Sequence, residues 1–259
     1  MSNYPEENYI FTLANLLLKR KPLLTKMSLT RAIQLHPFLF SIIMLFAGAG
    51  KSQSAIALGS QAPNVSLDNL VQGRLYVVDY YPVNGSQFLV EGWQEGSIFL
   101  LDNEYHNLFL RYDTFADVLI LLHRSGNRFD KIQLNREYIR HFMLENRSFI
   151  NLSYSRYRDS GLEEGFYEVI FEEKVSLLAK RILDLETREA LTYFLPKSIW
   201  YLIKDGHAYK IRNKKSLFEV YGSSYKKQIS TFLKKEGIRF RKAGDPEWRR
   251  LIAYLNTLL

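Results

Sequence analysis

The sequence predicts a mainly β fold: an antiparallel meander forming a barrel or curved sheet, followed by two or three short C-terminal helices. Three observations lead there. Apolar and aromatic runs of four to eight residues alternate with tight turn signals such as Asp102-Asn103, Ser125-Gly126-Asn127 and Asp205-Gly206. The 17 Tyr and 17 Phe suit strands and large buried surfaces. After Arg212 the apolar period changes from two to that of a helix, about 3.6 residues.

The first strand candidates are Leu75–Val78 and Gln87–Val90, the second leading into Gly92-Trp93-Gln94-Glu95-Gly96. Ser97–Leu101 and Tyr105–Tyr112 flank the Asp102-Asn103 turn, and Asp113-Thr114 starts the reversal into Asp117–His123. Phe129–Leu134, Tyr138–Leu144 and Phe149–Leu152 continue the meander, and Tyr154–Glu164 reads as a longer loop. Gly165–Phe171 resumes the sheet. Val175–Leu183 reads as a strand, with a helical turn or two as the alternative. Thr192–Leu195 is a strand expected to stop at Pro196, which lacks the N–H of a central ladder. Ile199–Ile203 and Ala208–Ile211 form a hairpin, because Asp-Gly accepts positive φ cheaply.

Lys215–Tyr221 is a short helix candidate. Ser224–Glu236 places Ile229, Phe232 and Leu233 on one face and most lysines on the other, and Gly237 stops it. The last helix is expected to begin with Asp245 as N-cap and Pro246 as its first residue. Trp248, Leu251, Ile252 and Leu255 form its apolar stripe.

The N-terminal part carries a leader pattern. Residues 38–47 read FLFSIIMLFA, without charge, and follow Lys19, Arg20, Lys21, Lys26 and Arg31. Gly48-Ala49-Gly50 follows, and Ala47-Gly48-Ala49 fits the small-x-small preference of a signal peptidase. The apolar run is shorter than the roughly 20 residues that span a bilayer. Residues 1–26 read as an extension ahead of the true start at Met27, 27–50 as a signal-peptide-like segment and 51–73 as a linker. Residues 74–259 form one β-rich domain whose helical appendage begins at about 213. An uncleaved anchor and a buried helix are the competing readings of the leader. Export is the expectation, to the periplasm or the periphery of the outer membrane.

The sequence contains no cysteine, which excludes a lipoprotein anchor, disulfides, thiolate catalysis, iron–sulfur clusters and cysteine-bound zinc. His106, His123, His141 and His207 have no tight metal-ligand spacing. No G-x-S-x-G elbow is present, and Gly50-Lys51-Ser52 is no phosphate loop because Leu45 stands where its first glycine belongs. Acid pairs such as Glu163-Glu164 and Glu172-Glu173 are diffuse. No catalytic residue, cofactor or metal is therefore assigned.

Charge is unevenly placed. Ala57 to Trp200 holds 15 basic and 20 acidic residues, a net of −5; Tyr201 to the end holds 14 and 5, a net of +9. Lys214, Lys215, Lys226, Lys227, Lys234, Lys235, Arg239, Arg241, Lys242, Arg249 and Arg250 could form one patch, with Tyr221, Tyr225, Phe240 and Trp248 interleaved. Trp93, between glycines, is a separate candidate contact. Charge with stacking surface would suit nucleic acid, but that is a poor match to an exported protein. A protein partner in the envelope, or an anionic lipid surface, fits better.

Gly96–Asn103, Leu110-Arg111-Tyr112-Asp113 and Tyr209–Leu217 resemble, in style, a loosely defined group of uncharacterised, exported, β-rich envelope proteins of Bacteroidota. The resemblance implies a periplasmic or outer-membrane-associated location and carries over no catalytic residues. The expected function is a non-enzymatic envelope component docking onto a protein assembly. The alternatives are an envelope hydrolase acting on glycan or peptide, and a lipid- or small-ligand-binding barrel.

Overall fold

A computed structural model of the chain describes Leu70, residues 72–78 and residues 83–259. The leader-like segment and most of the linker lie outside these residues.

Among the described residues, eleven strands build one antiparallel sheet: β1 (Arg74–Leu75), β2 (Gln94–Leu100), β3 (Asn103–Asp113), β4 (Val118–Ser125), β5 (Arg128–Gln133), β6 (Ile139–Leu144), β7 (Arg147–Asn151), β8 (Phe166–Phe171), β9 (Ser176–Arg188), β10 (Leu191–Lys204) and β11 (His207–Ile211). Their order is β1-β5-β4-β3-β2-β6-β7-β8-β9-β10-β11. The chain runs outward from β2 to β5, then returns through the turn Arg136–Tyr138 to the free side of β2 and runs out again to β11. The sheet stays open with β1 and β11 at its edges, so the curved sheet is found and the closed barrel is not. Gly96 permits the central crossing: a Cβ there would stand 2.1 Å from the Met143 carbonyl oxygen of β6.

Three helices follow: α1 (Lys214–Tyr221), α2 (Lys226–Lys235) and α3 (Asp245–Asn256). The Asn213 side chain caps α1 by accepting from the Ser216 amide, while the Ser216 hydroxyl accepts from the Asn213 amide. Gly237, at φ 64°, ends α2, with Gly237 N–H donating to the Lys234 carbonyl and Ile238 N–H to that of Leu233. Helix α3 starts one residue away from the expectation. Gly244 is the cap, Asp245 is the first helical residue, and the Glu247 carboxylate accepts from the Gly244 amide at 3.0 Å.

Side-chain alternation sorts the interior. Ile98, Leu110, Tyr112, Phe142, Phe149 and Phe166 build an aromatic-rich core over β2–β8. Leu177, Ala179, Leu202 and Ile211 of β9–β11 are covered by Leu217, Ile229, Leu233, Trp248, Leu251 and Ile252 of the helices. A smaller cluster on β8–β10 gathers Tyr167, Leu178 and Ile203 with Leu152 and Tyr157. Asn256 ties α3 to the sheet: its Oδ1 accepts from the Val175 amide, and its Nδ2 donates to the Val175 and Ile252 carbonyls.

Four further local expectations need correction. Leu75–Val78 supplies only the two-residue β1, and Gln87–Val90 only an isolated bridge from Phe88 to Asp113. Helix α2 is shorter than Ser224–Glu236, because Ser223–Tyr225 forms a separate 3-10 turn. The fourth correction is Pro196, which does not end its strand. Strand β10 runs through it to Lys204, paired with β9 from Leu191 to Ile203. The Phe194 amide donates to the Asn84 carbonyl, so the even-numbered backbone groups here point away from β9. The missing N–H of Pro196 therefore faces an open edge, where proline is tolerated. Val175–Leu183 is strand, not helix, and extends to Arg188.

Among the described residues, no helix is long and apolar enough to cross a membrane.

Candidate functional site

The site is built where β11 ends. The β10–β11 ladder stops at the pair Trp200–Ile211, after which the chain turns into α1. The 3-10 turn Phe240–Lys242 returns to the same place ahead of α3. Between them lies a cavity of about 340 Å³, lined by Lys197, Ser198, Ile199 and Trp200 of β10, Lys210 and Ile211 of β11, Arg212, Phe240, Arg241, Ala243 and Trp248. Its lining holds four cations and no carboxylate.

The two faces of the sheet give the cavity two chemistries. Trp200 and Ile211 are paired and share the face that the helices cover, where Phe240 packs edge-on against Trp248 at 5.0 Å and Trp200 lies 5.2 Å from Trp248. Lys197, Ile199, Lys210 and Arg212 occupy the alternate positions and so belong to the opposite face. Lys197 is held by Asp184 at 2.7 Å. Lys210, Arg212 and Arg241 make no ion pair among the described residues.

Behind the cavity a partly buried ionic chain locks the helices to the sheet. Arg181 of β9 donates through Nε to Glu168 at 2.7 Å and through Nη2 to both oxygens of Asp245 at 2.8 Å. Its Nη1 donates to the Ser198 hydroxyl, and its guanidinium stacks over Trp200 at 5.1 Å. Arg147 of β7 clamps the same Glu168 with bonds of 2.9 and 2.6 Å. Burial pulls the Arg147 guanidinium down, but its bond to the Glu168 carboxylate and that charge outweigh burial and leave it above the ordinary arginine value. Two cations and two carboxylates cancel, so the chain is neutral. The positive charge of the neighbouring cavity belongs to Lys210, Arg212 and Arg241. A second cavity, of about 210 Å³, borders Arg147, Arg181 and Ser198 on the other side with Phe88, Leu89 and Pro196.

The backbone adds a third feature. Asn84 pairs with Tyr193 alone, bonding the Thr192 carbonyl and the Phe194 amide, and β11 covers β10 only from Trp200 onward. Between these two neighbours, the Pro196 carbonyl and the Ser198 amide and carbonyl have no hydrogen-bond partner among the described residues.

Of the residues expected from sequence, Phe240, Arg241 and Trp248 line the cavity. Trp248 itself is only 2% exposed, because it fills the core between helix and sheet. Its indole N–H has no acceptor among the described residues. Lys226, Lys227, Lys234, Lys235, Arg239, Arg249 and Arg250 are exposed. Arg250 is occupied by Glu236 and Glu247. Trp93 is not brought to the cavity; it is half-buried ahead of β2, with the Arg111 guanidinium 5.4 Å from its ring. Lys197, Ser198, Trp200, Lys210 and Arg212 were missed. The available signal was the i, i+2 spacing of Lys210 and Arg212 on a strand adjoining a basic helical segment.

Among the described residues, no group of three or more His, Asp or Glu could hold a metal ion. No known protein family, curated protein or solved structure matches the chain.

Proposed function

We propose that this chain is a non-enzymatic envelope component, exported to the periplasm or the periphery of the outer membrane, that docks onto a protein assembly. The observation that carries the reading is the cavity at the end of β11: Lys210, Arg212 and Arg241 around it, no carboxylate in its lining, and beside it backbone groups of β10 that are unpaired among the described residues. Uncompensated charge at a rim steers an oppositely charged partner, and a sheet edge supplies specific contacts. The leader-like residues 38–47 support the compartment.

The test is a carbodiimide cross-linked pull-down of the tagged native protein from solubilised envelope, because this reagent joins lysine amines to carboxylates at zero length. The reading requires a stoichiometric protein partner that is lost in the triple variant Lys210→Gln, Arg212→Gln, Arg241→Gln. A partner retained by that variant, or no partner at all, contradicts it.

A further inference from the structure

We infer that the partner element is an extended acidic peptide with alternating apolar and acidic side chains, which adds as a strand to the open edge of β10. This rests on the docking reading and specifies what the site takes. The uncovered edge from Pro196 to Ile199 spans about 10 Å at a strand rise of ~3.3 Å, room for roughly three extended residues. Among the described residues, one donor and two acceptors are unpaired there: the Ser198 amide and the carbonyls of Pro196 and Ser198.

An added strand obeys the same alternation as its neighbours. Every second side chain meets the helix-covered face, where Trp200, Phe240 and Trp248 border the cavity. The intervening side chains meet the face of Lys197, Lys210 and Arg212. Aromatic walls on one face and cations on the other select apolar residues at one parity and Asp or Glu at the other. Pro196 limits the site: it presents a carbonyl but no donor, so only a short segment pairs well and the edge is blunted against pairing with a second copy.

The probe is a fluorescein-labelled peptide, Glu-Phe-Glu-Val-Glu-Val, titrated against the full protein by fluorescence polarisation. Controls are the block-ordered peptide Glu-Glu-Glu-Phe-Val-Val and two versions of the probe N-methylated at the odd or at the even residues. The expected result is saturable binding, weakened at least about tenfold by block order and by one of the two methylation patterns only. Arg212→Gln with Arg241→Gln weakens it as well, with far-UV circular dichroism confirming the fold. Because methylation changes the peptide and not the protein, a folding defect cannot mimic the result. If the probe and all its controls bind alike, strand addition is wrong while charge-driven docking stands. If none binds while vesicles rich in phosphatidylglycerol do, the inference falls and the basic face is a lipid contact. The docking reading itself fails separately, when the envelope partner survives the triple variant.

Discussion

Replacing Arg181 with Met tests whether the ionic chain holds the helices on the sheet. The guanidinium side chain is 10% exposed and serves Glu168, Asp245 and Ser198 together. Met keeps much of the apolar stem but leaves Glu168, 3% exposed, with Arg147 as its remaining cation. Breaking a buried ion pair by removing one partner costs roughly 3–5 kcal/mol. The surviving Arg147 clamp places this case at the lower end, about 3 kcal/mol. The Asp245 side chain is 35% exposed, and water screens its loss, so that arm adds little. In a domain of this size about 3 kcal/mol lowers Tm by roughly 6–12 °C. The assay is urea and thermal unfolding followed by tryptophan fluorescence and far-UV circular dichroism. Glu168→Gln is run alone and combined with Arg181→Met, since the orphaned carboxylate causes most of the loss. In the Arg181→Met background Glu168→Gln must therefore cost less than it does alone. A loss below about 1 kcal/mol for Arg181→Met, or strictly additive effects, refutes the reasoning.

Three further outcomes follow from the same geometry. The β9–β10 turn holds Glu189 and Ala190 at φ 49° and 66°, where side chains are disfavoured; Glu189→Asn with Ala190→Gly should stabilise by about 1 kcal/mol, read as a higher urea midpoint at unchanged slope. Asn256→Ala strands the Val175 amide and carbonyl in the interior and should cost about 2–3 kcal/mol, and Asn256→Asp, which sets a buried carboxylate against the Val175 and Ile252 carbonyls at a helix C-terminus, should cost at least as much. Burial holds the phenols of Tyr112, Tyr167 and Tyr221 above their ordinary value of 10.0, with Asp117 adding to the effect at Tyr112. The folded state then binds more protons in alkali. This stability is complete below the unfolded phenol value, about 10, and is lost as pH rises through the higher folded values. Tyr112→Phe should flatten that alkaline decline in pH-dependent unfolding.

Turn chemistry made most of the meander legible. Asp205-Gly206 takes φ of 50° and 78° as a two-residue hairpin turn requires, α1 begins one residue from its expected start, and Gly237 stops α2 as expected. The apolar stripe Trp248, Leu251, Ile252 and Leu255 is buried as its helical spacing implies. Pro196 misled because a missing N–H disqualifies a residue only where a neighbour strand needs it, and edge status is a property of strand order. Strand order is long-range: β6 returns to β2 across β3, β4 and β5 in sequence. The site was half legible for the same reason. Arg241 and Trp248 announce themselves within a basic, aromatic segment, but Lys197 and Ser198 reach it only through the β9–β10–β11 register. The pairing of Arg181 with Asp245, 64 positions apart, leaves no local trace at all.

The most direct test of the docking account is residue-resolved amide hydrogen exchange by NMR on the full protein, with and without the alternating acidic peptide. The Lys197 and Ile199 amides face β9 and should exchange slowly in both states. The Ser198 amide, facing the open edge, should exchange quickly in the free protein and slow markedly when the peptide is bound. A Ser198 amide already protected in the free protein, or unchanged by saturating peptide, contradicts the account.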